Sequence, residues 1–236
     1  METILKSAHK TVTISPQKPT VLIGERINPT GKKRLAAALS EGNLDIVRRE
    51  AEAQVEAGAD VLDVNVGATG VDEVDLLPQA VRLVMETIQV PVCIDSANAE
   101  ALRAALAVHS ELAPEGKPLV NSVNGEEANL ERVLPLVAEY KAAVIGLTMD
   151  EDGIPPTSEK RLAVAREIVE RAEALGIPGE DVVIDCLSLT VGADDPQAAL
   201  VTLEAIRMVR QELGVNMTLG ASNVSFGLPE REVVNW

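Results

Sequence analysis

VLDVNVG, residues 61–67, begins as an unbroken apolar run and ends by delivering a carboxylate and a carboxamide, Asp63 and Asn65. Five further runs share this grammar: VLIGERIN at 21–28 (Glu25, Asn28), VCIDS at 92–96 (Asp95), LVNSVN at 119–124 (Asn121, Asn124), VVIDC at 182–186 (Asp185) and LGASN at 219–223 (Asn223). Continuous Val/Ile/Leu runs are the mark of parallel strands buried on both faces, and in barrel enzymes the chemistry sits where such strands end. Polar groups far apart in sequence are therefore expected to converge on one mouth.

Working outward, strands are predicted near 21–26, 60–66, 90–95, 118–123, 142–148, 181–186 and 215–221. Helical patterns fall near 33–40, 43–57, 73–88, 98–109, 126–140, 157–175 and 196–213. This βαβα alternation implies a parallel sheet with covering helices. Asp195 followed by Pro196 reads as an N-cap and first helical residue, and Gly58, Gly176 and Gly214 each sit where a helix ends. Asp45 with Arg49 and Glu167 with Arg171 lie four apart with the acid first, as on a solvated helical face.

The expected fold class is α/β, a (β/α)8 TIM barrel. Seven strands are found where eight close a barrel, and the sequence stops at REVVNW, so the last strand and helix are expected to be lacking. The expected organisation is an N-terminal extension over 1–20 and one barrel domain over 21–236. A doubly wound open sheet is the alternative. It would place a G-x-G-x-x-G turn after its first strand, where this chain has GERINPTGKK.

Composition narrows the function. The 236 residues are 46% hydrophobic, enough for a substantial core, and carry a formal charge of -16. So acidic a chain lacks the basic face that nucleic acid requires, and one Trp, one Tyr and one Phe make no stacking platform. No apolar segment is long enough for a membrane span, and METILKSAHKTVTISPQKPT lacks the apolar centre of a signal peptide, so a cytoplasmic protein is expected. Cys93 and Cys186 each lie inside an apolar run and read as buried, reduced thiols, and no metal-ligand spacing is present. His9 and His109 read as ordinary surface residues.

A single Asp at a strand end is often only a helix N-cap, and Asp95 and Asp185 each admit that reading. The recurrence argues for more. Asp offers acceptors, and Asn offers both a donor and an acceptor. Together they suit a flat heterocycle presenting a ring N–H and an exocyclic amine beside a carbonyl. Pterins and guanines have that edge, and without a phosphate cradle a pterin fits better.

The segments GERIN (24–28), LDVNVG (62–67), CIDS (93–96), VNSVNGE (120–126), VIGLTMDEDGIP (144–155), VIDCL (183–187) and LGASNVSFGLP (219–229) resemble, together and in order, the pterin-binding methyltransferases. That family includes methyltetrahydrofolate:corrinoid protein methyltransferases and the folate-binding module of cobalamin-dependent methionine synthase. The resemblance implies that Asp95, Asn121 and Asp185 hydrogen-bond the pterin, with Asp63, Asn65 and Ser222 lining the same mouth. It also implies that Asn223 reaches the methyl-bearing ring nitrogen and is the catalytic group. Methyltetrahydrofolate or tetrahydrofolate would be the substrate. The corrinoid would be carried by a partner protein, of iron–sulfur type or from a demethylase system, with no metal bound by this chain and a homodimer as the assembly.

Two rivals stand beside this reading. Dihydropteroate synthase shares the barrel and pocket but needs an anion site, for which it uses an S-R-K-type segment and a D-P-G-x-G-F-G-K loop. Here those places hold Ser222-Asn223-Val224-Ser225 and Asp185-Cys186-Leu187-Ser188, leaving Arg26 alone near the first strand end. A non-enzymatic folate-binding protein is the other. Phe226 is expected to cover the pterin, meet the partner or pack beneath its loop.

Overall fold

The computed structural model describes residues 1–190, 197–231 and 233. The described elements run β1 Thr3–Lys6, β2 Thr11–Ile14, β3 Ile23–Ile27, α1 Lys33–Ser40, α2 Asp45–Glu56, β4 Val61–Val64, α3 Glu73–Thr87, β5 Val92–Asp95, α4 Ala99–Leu112, β6 Leu119–Asn124, α5 Glu127–Glu139, β7 Ala143–Leu147, α6 Ser158–Ala174, β8 Val182–Asp185, α7 Ala198–Glu212 and β9 Asn216–Thr218. All seven strands and all seven helices read from the sequence are present. Strands β3 to β9 make one sheet in which each is bonded to the next in chain order. A doubly wound sheet reverses its order partway, so sequential order identifies the α/β fold as TIM-barrel-like.

The chain forms two compact units, residues 2–122 with 135–144, and Met1 with 123–134 and 145–236. In the first, β3 to β6 pair in parallel: Gly24 is opposite Leu62, Asp63 opposite Cys93, and Asp95 opposite Asn121. All four residues of β4 and the first three of β5 are buried, which is why these strands read as unbroken apolar runs. Gly24 leaves room for a neighbour: a Cβ there would lie 2.7 Å from Gln54 Oε1, the atom that accepts from the Arg26 N–H at 2.8 Å. Helix α3 starts from Asp72, whose side chain accepts from Val74 and Asp75 N–H, and α4 starts from Asn98.

In the second unit, β8 and β9 pair in parallel with Asp185 opposite Thr218. Helices α6 and α7 pack together, and α6 is capped by Thr157. Arg171 of α6 grips Glu127 through two bonds of 2.7 and 2.6 Å, so the cation expected beside Glu167 is fixed by an acid outside its own helix.

Residues 1–20 hold more order than a bare extension. Strands β1 and β2 form an antiparallel hairpin, with Thr3 opposite Ile14, and Lys6 exchanges backbone bonds of 2.9 and 2.8 Å with Lys117. Its inward face is Thr3 and Leu5, a period-two pattern that a search for continuous apolar runs passes over. The Asp195–Pro196 helix start lies outside the described residues. Among the described residues no helix is long and apolar enough to cross a membrane.

Candidate functional site

The pleat of three neighbouring strands puts Asn65, Asp95 and Asn121 in one row. Asp95 stands directly opposite Asn121, and Asn65 follows Val64, the partner of Ile94. Asp63, two residues before Asn65, faces the same side one layer deeper. Its side chain belongs to a residue only 2% exposed.

The amides set the row's polarity. Gly67 N–H donates to Asn65 Oδ1 at 2.7 Å, so Asn65 turns its Nδ2 to Asp95 Oδ2 at 2.9 Å. Asn121 Nδ2 donates to Asp63 Oδ2 at 3.0 Å. The second oxygen of Asp63, Oδ1, is buried without a donor. Burial raises the Asp63 carboxyl far above the ordinary carboxylate range, and the nearby Asp95 charge raises it further. Asp95 is also raised, first by burial and then by Glu25 and Glu73, against the lowering effect of its bond from Asn65. A proton on either carboxyl removes one of two adjacent charges, and the more deeply buried Asp63, raised the further, is the member that favours it.

Asp95 therefore caps no helix, since α4 begins at Asn98 and Asp95 Oδ2 is held within the row. Glu73, from the first turn of α3, accepts from Ser96 Oγ at 2.5 Å, and Glu25 accepts from Asn28 Nδ2 at 2.6 Å. Glu73 was not legible as a site residue, because an acid in the first helical turn is ordinary dipole chemistry. Arg26 turns to Glu50 at 3.0 Å. An acidic row whose nearby arginine pairs elsewhere suits a ligand rich in N–H donors and repels an anionic one.

Asp185 sits in the second unit at the end of β8. Its Oδ1 accepts from Leu187 N–H at 2.7 Å, closing a turn in which Leu187 takes a left-handed φ of 59°. Burial raises its pKa, while that backbone bond and the Arg161 guanidinium lower it. Beyond β9, residues 221–225 form a short 3-10 turn carrying Ser222 and Asn223, both exposed. Asn223 folds over Gly220, where a Cβ would come within 2.6 Å of its Nδ2. Arg231 bonds Ser222 O at 2.8 Å and Ser225 Oγ at 3.2 Å and lies 5.9 Å from the Phe226 ring centre. Phe226 is 68% exposed, so it does not pack beneath the loop. Asp63, Asn65, Asp95 and Asn121 are thus assembled in one unit, and Asp185, Ser222 and Asn223 belong to the other.

Both thiols are free and buried, as their apolar runs indicate. His9 is exposed, but His109 is only 3% exposed, contrary to the surface position expected for it. Helix α4 turns it inward, and desolvation lowers its pKa to about 4. Both histidines line a cavity of about 240 Å³ with Ser7, Glu86 and Val92, at the end of β5 away from Asp95.

The pterin binding enzyme family matches residues 24–235. A methylcorrinoid:tetrahydrofolate methyltransferase from Eubacterium limosum is 32% identical over 223 residues, which is 91% of this chain and 78% of that protein. A methionine synthase from Mycobacterium leprae is 34% identical over 233 residues, 93% of this chain and 19% of that one. Among solved structures, a Yersinia pestis DHPS with a pterine-sulfa conjugate superposes with a TM-score of 0.65 at 17% identity, covering 95% of this chain and 79% of that one.

Proposed function

The chain belongs to the pterin-binding enzymes, and we propose that within that family it is a methyltransferase moving a methyl group between methyltetrahydrofolate and a corrinoid held by a partner protein. The observation that carries this is the donor-hungry row of Asp95 and Asn121 above the buried Asp63, with Arg26 engaged by Glu50. The similarity to the Eubacterium limosum enzyme along most of both chains supports it. A dihydropteroate synthase must hold a departing pyrophosphate, which a mouth flanked by Glu25, Glu73 and Asp95 disfavours.

In this reading Asp95 and Asn121 offer oxygens to the ring N–H and amine of the pterin, and Asp185, which belongs to the other unit, is proposed as a further pterin acceptor through its second oxygen. Asn65 holds Asp95 at its angle, and Asp63 keeps Asn121 turned so that its Oδ1 remains free to accept. Ser222 lines the mouth beside Asn223. The corrinoid supplies the cobalt that takes up or returns the methyl group.

The departing nitrogen is a tertiary amine and leaves poorly unless it gains a proton or a strong hydrogen bond as its bond to the methyl breaks. Asn223 answers that need. Its carboxamide donates to developing charge, or accepts from a protonated nitrogen, without changing its own charge. One such group is typically worth about a hundred- to thousandfold in rate. A corrinoid iron–sulfur protein or the corrinoid protein of a demethylase system would serve as partner, and a cytoplasmic homodimer is the assembly proposed.

The test is transfer of labelled methyl from methyltetrahydrofolate to free reduced cobalamin, run beside an assay for dihydropteroate. Methyl transfer is expected. Dihydropteroate formation would overturn the reading.

A further inference from the structure

We propose that Arg161 is a positioning residue of the pterin site, a buried cation that clamps the turn after β8 and so aims the Asp185 carboxylate; this rests on the reading of Asp185 given above. Arg161 is 1% exposed and is the largest of the fully buried side chains. A guanidinium removed from water is costly unless its donors are satisfied, and here all the acceptors are neutral. Nε donates to Pro155 O at 2.9 Å, and NH1 donates to Cys186 O at 2.7 Å, Leu187 O at 3.0 Å and Thr202 Oγ1 at 3.0 Å.

Cys186 and Leu187 immediately follow Asp185. Every carbonyl of this three-residue stretch is held from outside it: Asp185 O by Thr148 N–H and Oγ1, Cys186 O by Arg161, and Leu187 O by Arg161 and Thr202. Leu187 lacks the freedom of glycine, so its left-handed backbone has to be imposed by its surroundings. With Leu187 fixed, its N–H locks Asp185 Oδ1, and the remaining oxygen points by default rather than by search.

The same cation favours the ionised form of Asp185 against burial. Its other neighbours named among the described residues add no charge: the Cys186 thiol is pushed up to about 12 and stays neutral, and Thr148, Thr202 and Thr218 do not titrate near neutrality.

The experiment measures methyltetrahydrofolate affinity from pH 4 to 8 for wild type, Asp185→Asn, Arg161→Met and Arg161→Lys. It is paired with a 13C titration of the Asp185 carboxyl in ligand-free protein. Wild type is expected to show an acid limb from which Asp185→Asn removes the Asp185 share and leaves that of Asp95. Arg161→Met is expected to move that limb upward by about one pH unit and to weaken binding near pH 7 by about tenfold, with the carboxyl titration moving equally. Arg161→Lys keeps the charge but cannot span both carbonyls, so the limb stays and affinity drops severalfold. An unmoved limb and carboxyl titration in Arg161→Met would overturn the proposal. So would unchanged affinity in Arg161→Lys, which decides the matter if Arg161→Met does not fold. Absence of folate binding by wild type would sink the functional reading instead, while the ligand-free titration still reports on Arg161.

Discussion

Asp63 and Asp185 show two opposite ways of burying a carboxyl at a strand end. Among the described residues Asp63 has no cation partner, lies beside a second carboxyl and is left one oxygen short, so its pKa is raised and the neutral form favoured. Asp185 is backed by the buried Arg161 and a backbone N–H, so its charge is defended. The first arrangement turns an acid into a neutral prop for Asn121. The second keeps an acid ready to accept. Identical residue types near the ends of different strands thus receive different work from their second neighbours.

The sharpest way to test that division is a residue outside both arrangements. Asn223→Ala should lower methyl transfer by about a hundred- to thousandfold while folate still binds. If binding and rate fall together, the loop also belongs to the binding set. Next come Asp95→Asn and Asp185→Asn, each expected to weaken folate binding by about 1.5 to 3 kcal/mol in calorimetry, as loss of a charge-assisted hydrogen bond requires. A small and equal loss at Asn223, Asp95 and Asp185 would erase the comparison.

The pH dependence of stability separates two buried groups of the first unit. His109 has a lowered folded pKa of about 4, so the unfolded chain binds the extra proton between 6.5 and 4. Its share of stability is present above that window and lost as pH falls through it, at most about 3 kcal/mol by linkage. Denaturant melts of His109→Leu should be flatter there. Asp63 runs the other way. Its raised folded pKa means the folded state binds the extra proton, so stability declines as pH rises from about 4 toward 8. Asp63→Asn should gain roughly 1 kcal/mol near pH 8 while impairing function; a loss of stability there would mean that Asp63 is ionised and usefully paired.

The architecture was legible because buried parallel strands write themselves as apolar runs and because polar residues recur where those runs end. What escaped was information carried by partners. Arg161 looks like one more charge in SEKRLAVARE, although it precedes the buried Val164, Ala165 and Ile168 by three, four and seven positions and so stands on the inward stripe. His109 shares the inward face of α4 with Leu102, Ala105 and Leu106 in the same way. Neither residue type is expected inside, so pattern yielded to prejudice. The β1–β2 hairpin escaped for a different reason, since four-residue alternations such as TILK and TVTI are too short to stand out.

That hairpin also sets a schedule. Its two strands are adjacent in sequence and can pair as soon as they leave the ribosome, but Lys6 docks on Lys117, a residue made roughly 110 positions later. At ordinary rates of translation the inward face with Leu5 waits on the order of ten seconds for its covering. This hairpin therefore stays undocked until more than a hundred further residues have followed it, roughly the spacing of its bridge to Lys117.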